Sequence, residues 1–323
     1  MTRSPRGMAG DPRVPEVSVI VIFKDAEPFL TAAIASVYAQ TFPNWELLLA
    51  DDGSTDASSA LARRNAELDG RRVRYLEHAD HANRGMSATR NLGIAHARGE
   101  FVAFLDADDE LVPNALEDQI AILRAHPRVG MVYGPLEYWY GWTGDPEDRA
   151  RDFVHPIGVP VDRIYEPPSL IAHFVQNVGF APAGVLVRRD LLAQVGGYED
   201  SFPGLYEDQV FAAKVCRTAP VFASGRCWYR YRQHPSSCCL SAQREGRLED
   251  SRRQFLRWLV AYLDDEGLTG SHAWQQTRKE LRRSSRTGRL LARVAAARRL
   301  VWQRAAPAGG GSSATSSRAS PTK

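Results

Sequence analysis

Three carboxylates fall within four residues at Asp106, Asp108 and Asp109, directly after the apolar run Phe101-Val-Ala-Phe-Leu105. Like charges sharing a pocket repel and lose hydration, so the cluster costs stability unless a cation or hydrogen-bond donors compensate it. A divalent ion supplies that compensation, and hard oxygen ligands favour Mg²⁺ or Mn²⁺, whose natural cargo is a diphosphate. The plainer reading is a solvated acidic turn capping a helix that follows at once, with Asp109 near its N-terminus and Pro113 in its first turn. A second apolar run, Leu47-Leu-Leu-Ala50, also ends in acids, at Asp51-Asp52-Gly53-Ser54-Thr55-Asp56. Two such strand ends can face one ligand, because open α/β sheets bind beyond the carboxyl ends of their strands. Gly53 permits the sharp turn, Asp56 is placed to cap the next helix, and Asp52 is left for a ligand.

The elements that must position these acids read clearly over the first 125 residues. A buried strand over Val17–Phe23 leads to a helix over Pro28–Gln40 with Leu30, Ile34 and Val37 inward. Strand 46–50, helix 57–68, strand 72–77, helix 86–97 and strand 101–105 follow, then a helix beyond Pro113 running to Ala125 and a strand over Arg128–Pro135. Alternating βαβα with nearly continuous apolar strands predicts an α/β fold: a mostly parallel Rossmann-like sheet with helices on both faces. From Leu136 to Pro168 the pattern loosens, and Tyr138-Trp139-Tyr140 and Trp142 crowd together. These rings either stack on sugar faces or pack against the sheet. A strand over Phe180–Val187, a helix over Arg189–Val195 and a helix opening at Tyr206-Glu207-Asp208 and running to Arg217 come next, and an amphipathic helix over Glu249–Leu263 should pack on the body.

Length and composition bound the class. A chain of 323 residues with 44% hydrophobic content can bury a full core in one large domain with appendages. Cys216, Cys227, Cys238 and Cys239 lack metal-ligand spacing, which fits a reducing compartment. No apolar run approaches the ~20 residues of a membrane span, and residues 1–14 are polar, so a cytoplasmic location is expected. Residues 271–323 carry twelve Lys and Arg against the single acid Glu280, net +11, which leaves −8 for the rest of a chain whose net charge is +3. Basicity therefore belongs to the tail, which either contacts anionic membrane peripherally or is simply solvated. Nucleic acid is not the expected partner, since no stacking aromatics interleave with these arginines.

Six segments, in order, resemble a family 2 glycosyltransferase of the GT-A fold. They are Val17-Ser-Val-Ile-Val-Ile-Phe-Lys-Asp25, with Asp25 where Asn is usual; Ser36-Val-Tyr-Ala-Gln-Thr41-Phe42 with Trp45-Glu46-Leu47 and the acidic run Asp51 to Asp56; Asn83-Arg84-Gly85-Met-Ser-Ala-Thr89-Arg90-Asn91-Leu-Gly93, with Thr89 where Ala is common; the D-x-D-like Asp106-Ala-Asp108-Asp109; Glu207-Asp208; and Tyr231-Arg232-Gln-His234-Pro-Ser-Ser237. The resemblance covers residues 15–237, the expected catalytic domain; by composition and periodicity residues 1–14 read as a flexible N-terminus, 238–270 as a helical extension packing on the body, and 271–323 as a basic helix and disordered tail.

It also implies roles. Asp108 is the expected direct metal ligand, with His234 reaching the metal or diphosphate from the far end of the chain. Asp106 is expected beside the ribose or donor sugar, and Asp52 at the nucleobase, where uridine or thymidine diphosphate is favoured. Phe23 completes the donor-binding set at the end of the first strand. Arg90 either neutralises a phosphate or pairs with an acid. Asp208 is the candidate base for a hydroxyl acceptor on a glycan or lipid-linked carrier, and a single base without a second nucleophile implies inversion. The competing readings are a nucleotidyltransferase, which needs a glycine-rich loop where Phe23-Lys-Asp-Ala-Glu-Pro28 stands, and a catalytically silent nucleotide-sugar-binding domain.

Overall fold

The computed structural model describes residues 14–176 and 184–284; the expectations for residues 1–13, for the start of the strand expected over Phe180–Val187 and for the tail from 285 lie outside these residues. In chain order the first half holds β1 (Val17–Phe23), α1 (Glu27–Tyr38), β2 (Trp45–Asp51), α2 (Ser58–Leu68), β3 (Val73–Glu77), α3 (Met86–His96), β4 (Phe101–Asp106), β5 (Glu110–Leu111), α4 (Ala115–Ala125) and β6 (Met131–Tyr133). The second half holds β7 (Leu136–Trp139), α5 (Pro146–Arg149), β8 (Phe153–His155), β9 (Arg163–Tyr165), α6 (Ile171–Gln176), β10 (Leu186–Arg188), α7 (Arg189–Val195), α8 (Glu207–Thr218), β11 (Val221–Ala223), β12 (Tyr229–Arg232), α9 (Cys238–Arg244) and α10 (Leu248–Asp265).

Why β1 is apolar at nearly every position follows from its place in the sheet. It pairs in parallel with β2 on one side and β4 on the other, so both its faces are covered. Val17, Val19, Val21 and Phe23 pack with α1 and α4, whereas Ile20 and Ile22 pack with α7, α8 and α10. The main sheet runs β3-β2-β1-β4-β10-β6-β11-β9, parallel through its first four strands, with β10 and β9 antiparallel to their neighbours. All four parallel strands end on one edge, which gathers Phe23, Asp51, Glu77 and Asp106 there. The mixed α/β fold expected from the sequence is what forms.

The region over 136–168 corrects the expectation of irregular chain. It supplies β7 and β8 to a second sheet, β5-β12-β7-β8, in which β12 is parallel to β7 and antiparallel to β5. Its aromatics pack: Tyr138 stacks on Phe153 at 4.9 Å between centroids, and the Trp142 indole donates to the Gln233 carbonyl at 2.9 Å. The acidic turn is also corrected. A helix does not begin at Asp109, because β5 intervenes and α4 starts at Ala115, beyond Pro113. Asp56 serves two helices, its carboxylate accepting from the Ser58 N–H at 2.9 Å and the Glu27 N–H at 3.0 Å.

The helix α10 buries Phe255, Leu256, Leu259 and Leu263, and stacks Phe255 on Tyr206 at 5.3 Å, immediately before α8. Among the described residues no helix is long and apolar enough to cross a membrane.

Candidate active site at the strand ends

The β2 loop is tied to the segment that precedes α3. Asp51 is fully buried and accepts from Ser54 N–H, the Ser59 hydroxyl and the Tyr75 hydroxyl, which is a structural use of the carboxylate. Asp52, expected to be left for a ligand, is instead engaged: Oδ1 accepts from the Arg84 N–H at 2.6 Å and the Gly85 N–H at 3.0 Å. Its Oδ2 takes only the longer second branch from Gly85 at 3.1 Å. Gly85 sits at φ +86 with a Cβ position 2.7 Å from Pro203, so only glycine fits there.

Phe23 presents backbone rather than ring to this edge. Its side chain is buried among the core residues, and its carbonyl accepts from the Asp52 N–H at 2.9 Å. Asp25, at φ +49, accepts from Thr55 N–H at 2.6 Å and from the Thr55 hydroxyl at 3.1 Å, and the Thr55 N–H bond holds its carboxyl below the usual range.

At the end of β4 the acids are held by two buried arginines. Arg90 donates through Nη2 to Asp106 at 2.7 Å and through Nη1 to Glu207 at 3.1 Å. Burial opposes the Arg90 charge, but the surrounding carboxylates of Asp106, Glu207 and Asp208 outweigh it. Asp106 is pushed above the ordinary carboxylate range by burial, with Arg90 opposing. Asp109 is fully enclosed and pushed well up, by burial first and then by the charges of Asp108 and Asp106. It accepts from the Arg232 N–H at 2.7 Å and bonds the Tyr229 hydroxyl, which also accepts from the Asp106 N–H at 3.3 Å.

Asp108 points elsewhere: its Oδ2 lies 3.0 Å from Nε2 of His234. The other His234 nitrogen meets the Ser236 hydroxyl at 2.9 Å, and the ring packs against Phe29 of α1 at 4.5 Å. Two residues 126 apart in sequence thus present an oxygen and a nitrogen side by side. Among the described residues no group of three or more His, Cys, Asp or Glu side chains is arranged to hold a metal ion. A two-donor set fits a divalent ion that takes its remaining ligands from diphosphate oxygens and water, as Mg²⁺ sites commonly do, and does not fit an all-protein cage.

Asp208 opens α8 after Tyr206 in the left-handed region at φ +66. Its carboxyl is pushed up to about 7, by burial first and next by the Glu207 charge, with Arg90 opposing. The sequence reading placed Asp52, Arg90, Asp106, Asp108, Asp208 and His234 at one site; the geometry ties Arg90, Asp106 and Glu207 together, pairs Asp108 with His234, and anchors Asp52 to Arg84 and Gly85. It missed Arg232 and Tyr229, although Arg232 stands in the flagged Tyr231-Arg-Gln-His234 run.

Comparisons with known proteins bear on the family and the fold. The chain is 27% identical over 268 residues to the O-antigen biosynthesis protein RfbC of Myxococcus xanthus, a match covering 83% of the chain but 19% of that protein. It is 36% identical over 121 residues to UDP-Glc:alpha-D-GlcNAc-diphosphoundecaprenol beta-1,3-glucosyltransferase WfgD of Escherichia coli, covering 38% of the chain and 46% of that protein. The chain therefore spans less than half the length of either relative. Its fold is similar to that of the mannosyltransferase PcManGT from Pyrobaculum calidifontis, solved with GDP-Man and Mn²⁺, at a TM-score of 0.56 and 21% identity over 91% of this chain and 84% of that one. A glycosyl transferase family 2 model matches residues 18–196, more than half the chain, and the protein belongs to that family.

Proposed function

We propose that the chain transfers a sugar from a nucleoside diphosphate sugar to a hydroxyl acceptor with inversion, in the synthesis of a polysaccharide or glycoconjugate. The observation that carries this reading is the Arg90 bridge, which joins the end of β4 to the start of α8 and so sets Asp208 within the same charge cluster as Asp106. A base near neutrality beside a diphosphate-type acidic turn is what glycosyl transfer to a hydroxyl requires.

In this reading Asp208 takes the acceptor proton as the new bond forms, on a helix start that fixes its carboxylate. Asp106, a third exposed, accepts hydroxyl hydrogen bonds from the donor sugar or ribose. Asp52 retains acceptor capacity on Oδ2 for the imide N–H of uracil or thymine, which favours a uridine or thymidine diphosphate donor. Asp108 and His234 are the residues that would hold Mg²⁺ or Mn²⁺, which would neutralise and polarise the leaving diphosphate. WfgD acts on a lipid-linked acceptor by its name, and a glycan or lipid-linked acceptor is proposed here.

The nucleotidyltransferase reading is disfavoured by the β1–α1 turn. Three of its N–H groups are already used: Asp25 donates to the Ser54 hydroxyl, Ala26 to the Ser58 hydroxyl and Glu27 to Asp56, at 2.9–3.1 Å. Those three consecutive N–H groups are therefore not open to a triphosphate. Incubation with UDP-, dTDP- and GDP-sugars plus Mn²⁺ tests the proposal; release of the diphosphate with a sugar transferred to a glycoside or water supports it. Absence of turnover with all three, in a chain that a nucleoside diphosphate stabilises, would leave the silent binding domain as the reading.

A further inference from the structure

We infer that Arg232 is a positioning residue that sets the Asp108–Glu110 turn in its ligand-holding shape, so that the turn keeps that shape whether or not a cation is bound. This rests on the donor-site reading given above.

Arg232 is 5% exposed and spends its donors on three consecutive residues. Its backbone N–H reaches Oδ1 of Asp109 at 2.7 Å, its Nε reaches the Asp108 carbonyl at 2.6 Å, and its Nη2 reaches Glu110 at 2.8 Å. The planar fork makes this multiple engagement feasible; a lysine offers one compact charge and no fork. Three aromatic rings enclose the guanidinium, with centroids 4.5 Å (Trp139), 5.1 Å (Trp142) and 5.4 Å (Phe29) from Cζ. Ring faces attract a desolvated cation, so the box offsets part of the cost of burying this charge.

The box is itself fixed from separate directions. Trp139 is the cross-strand partner of Arg232 in the β7–β12 pair, Trp142 is held by its bond to Gln233, and Phe29 comes from α1. Phe29 also packs on His234, two residues beyond Arg232, so one assembly braces both groups whose donor atoms stand 3.0 Å apart. Asp106, Asp108 and Asp109 repel one another, and a turn carrying them relaxes outward unless something holds it. Arg232 is placed to do so through the backbone of Asp108, which a charge elsewhere on the surface could not replace. Residues that orient metal ligands from behind typically govern about 10- to 100-fold of metal affinity.

The test is Mn²⁺ titration of the full chain, read from the EPR signal of free Mn²⁺, with UDP saturating or with GDP if GDP stabilises the chain more. Arg232→Lys and Arg232→Met should weaken Mn²⁺ binding about tenfold or more, while nucleotide affinity in EDTA, by calorimetry, stays at the wild-type value. Trp139→Leu leaves Arg232 and every acid in place and should weaken Mn²⁺ binding by a smaller factor, which keeps the inference testable if Arg232→Met does not fold. A lowered melting temperature with wild-type Mn²⁺ affinity in folded Arg232→Lys would mean that Arg232 is merely structural, and the inference falls alone. If the wild type binds nucleotide but no Mn²⁺, the metal reading falls and takes this inference with it.

Discussion

Arg90 and Asp106, 16 residues apart, meet at 2.7 Å across the end of the parallel sheet, and the same guanidinium reaches Glu207 at 3.1 Å. Arg90 is almost wholly enclosed, so its charge is compensated by these carboxylates and not by water. Removing one partner of a buried pair leaves an unpaired charge, at a cost of about 3–5 kcal/mol. Arg90→Met should therefore lower the urea midpoint by that equivalent, and Arg90→Lys, which lacks the fork, should recover only part of it. A midpoint within about 0.5 kcal/mol of wild type for Arg90→Met would mean that the bridge does not hold α8 to β4.

In the proposed role of base, the Asp208 carboxyl, pushed up to about 7 by burial, should set the pH dependence of transfer. A base must be unprotonated, so kcat/KM, which reports ionisations of the free enzyme, should fall about tenfold per unit as pH drops below 7, the limiting slope for loss of one ionised group. Asp208→Asn should lower kcat by about 10²- to 10⁴-fold with donor binding little changed. The measurement is kcat and KM from pH 5 to 9; retention of wild-type kcat in a folded Asp208→Asn protein would remove the base from this residue.

The same group makes a stability claim of opposite sense to the usual carboxylate. Its folded pKa of about 7 lies above the ordinary 3.8, so the folded chain binds this proton more tightly than the unfolded chain. The contribution is fully present below pH 3.8 and is lost as pH rises through 7. Asp208→Asn, which cannot ionise, should gain stability relative to wild type as pH rises from 4 to 8. Differential melting of the two proteins at both pH values checks this; a stability of Asp208→Asn minus wild type that falls as pH rises would contradict it.

The legible parts of this chain were those whose signal is local. The runs Val17–Phe23 and Leu47–Ala50 are apolar because both faces of a central parallel strand are buried, and that pattern survives in any seven-residue window. The spacing of Asp106 and Asp108 marked an acidic turn at the end of an apolar strand, which is where β4 ends, but it left open between a ligand site and a helix cap what that turn does. The strands of the second sheet, two to four residues long, carry no such pattern, and what stabilises them is pairing between distant segments, as where Arg230 faces Glu110. Arg232 stayed hidden for the same reason. The Asp108 carbonyl that its Nε holds lies 124 positions back, and nothing in the local run Tyr231-Arg-Gln-His234 encodes that partner.

At Asp52 the proposed nucleobase recognition and the observed loop geometry draw on one carboxylate. Its Oδ1 holds the partly buried Arg84 and Gly85 N–H groups, and leaving such donors unpaired costs at most about 1–3 kcal/mol. Asp52→Ala should lose that stability together with nucleotide affinity, so it cannot separate the two roles. Asp52→Asn can: its amide oxygen still accepts from Arg84 and Gly85, while its NH₂ turns toward the position where an imide N–H would donate. Folding should then stay near wild type, and UDP binding should weaken at least tenfold as one charge-assisted bond becomes a donor–donor clash. The readout is a UDP titration by calorimetry beside a urea melt, and unchanged UDP affinity in the stable Asn variant would move base recognition away from Asp52.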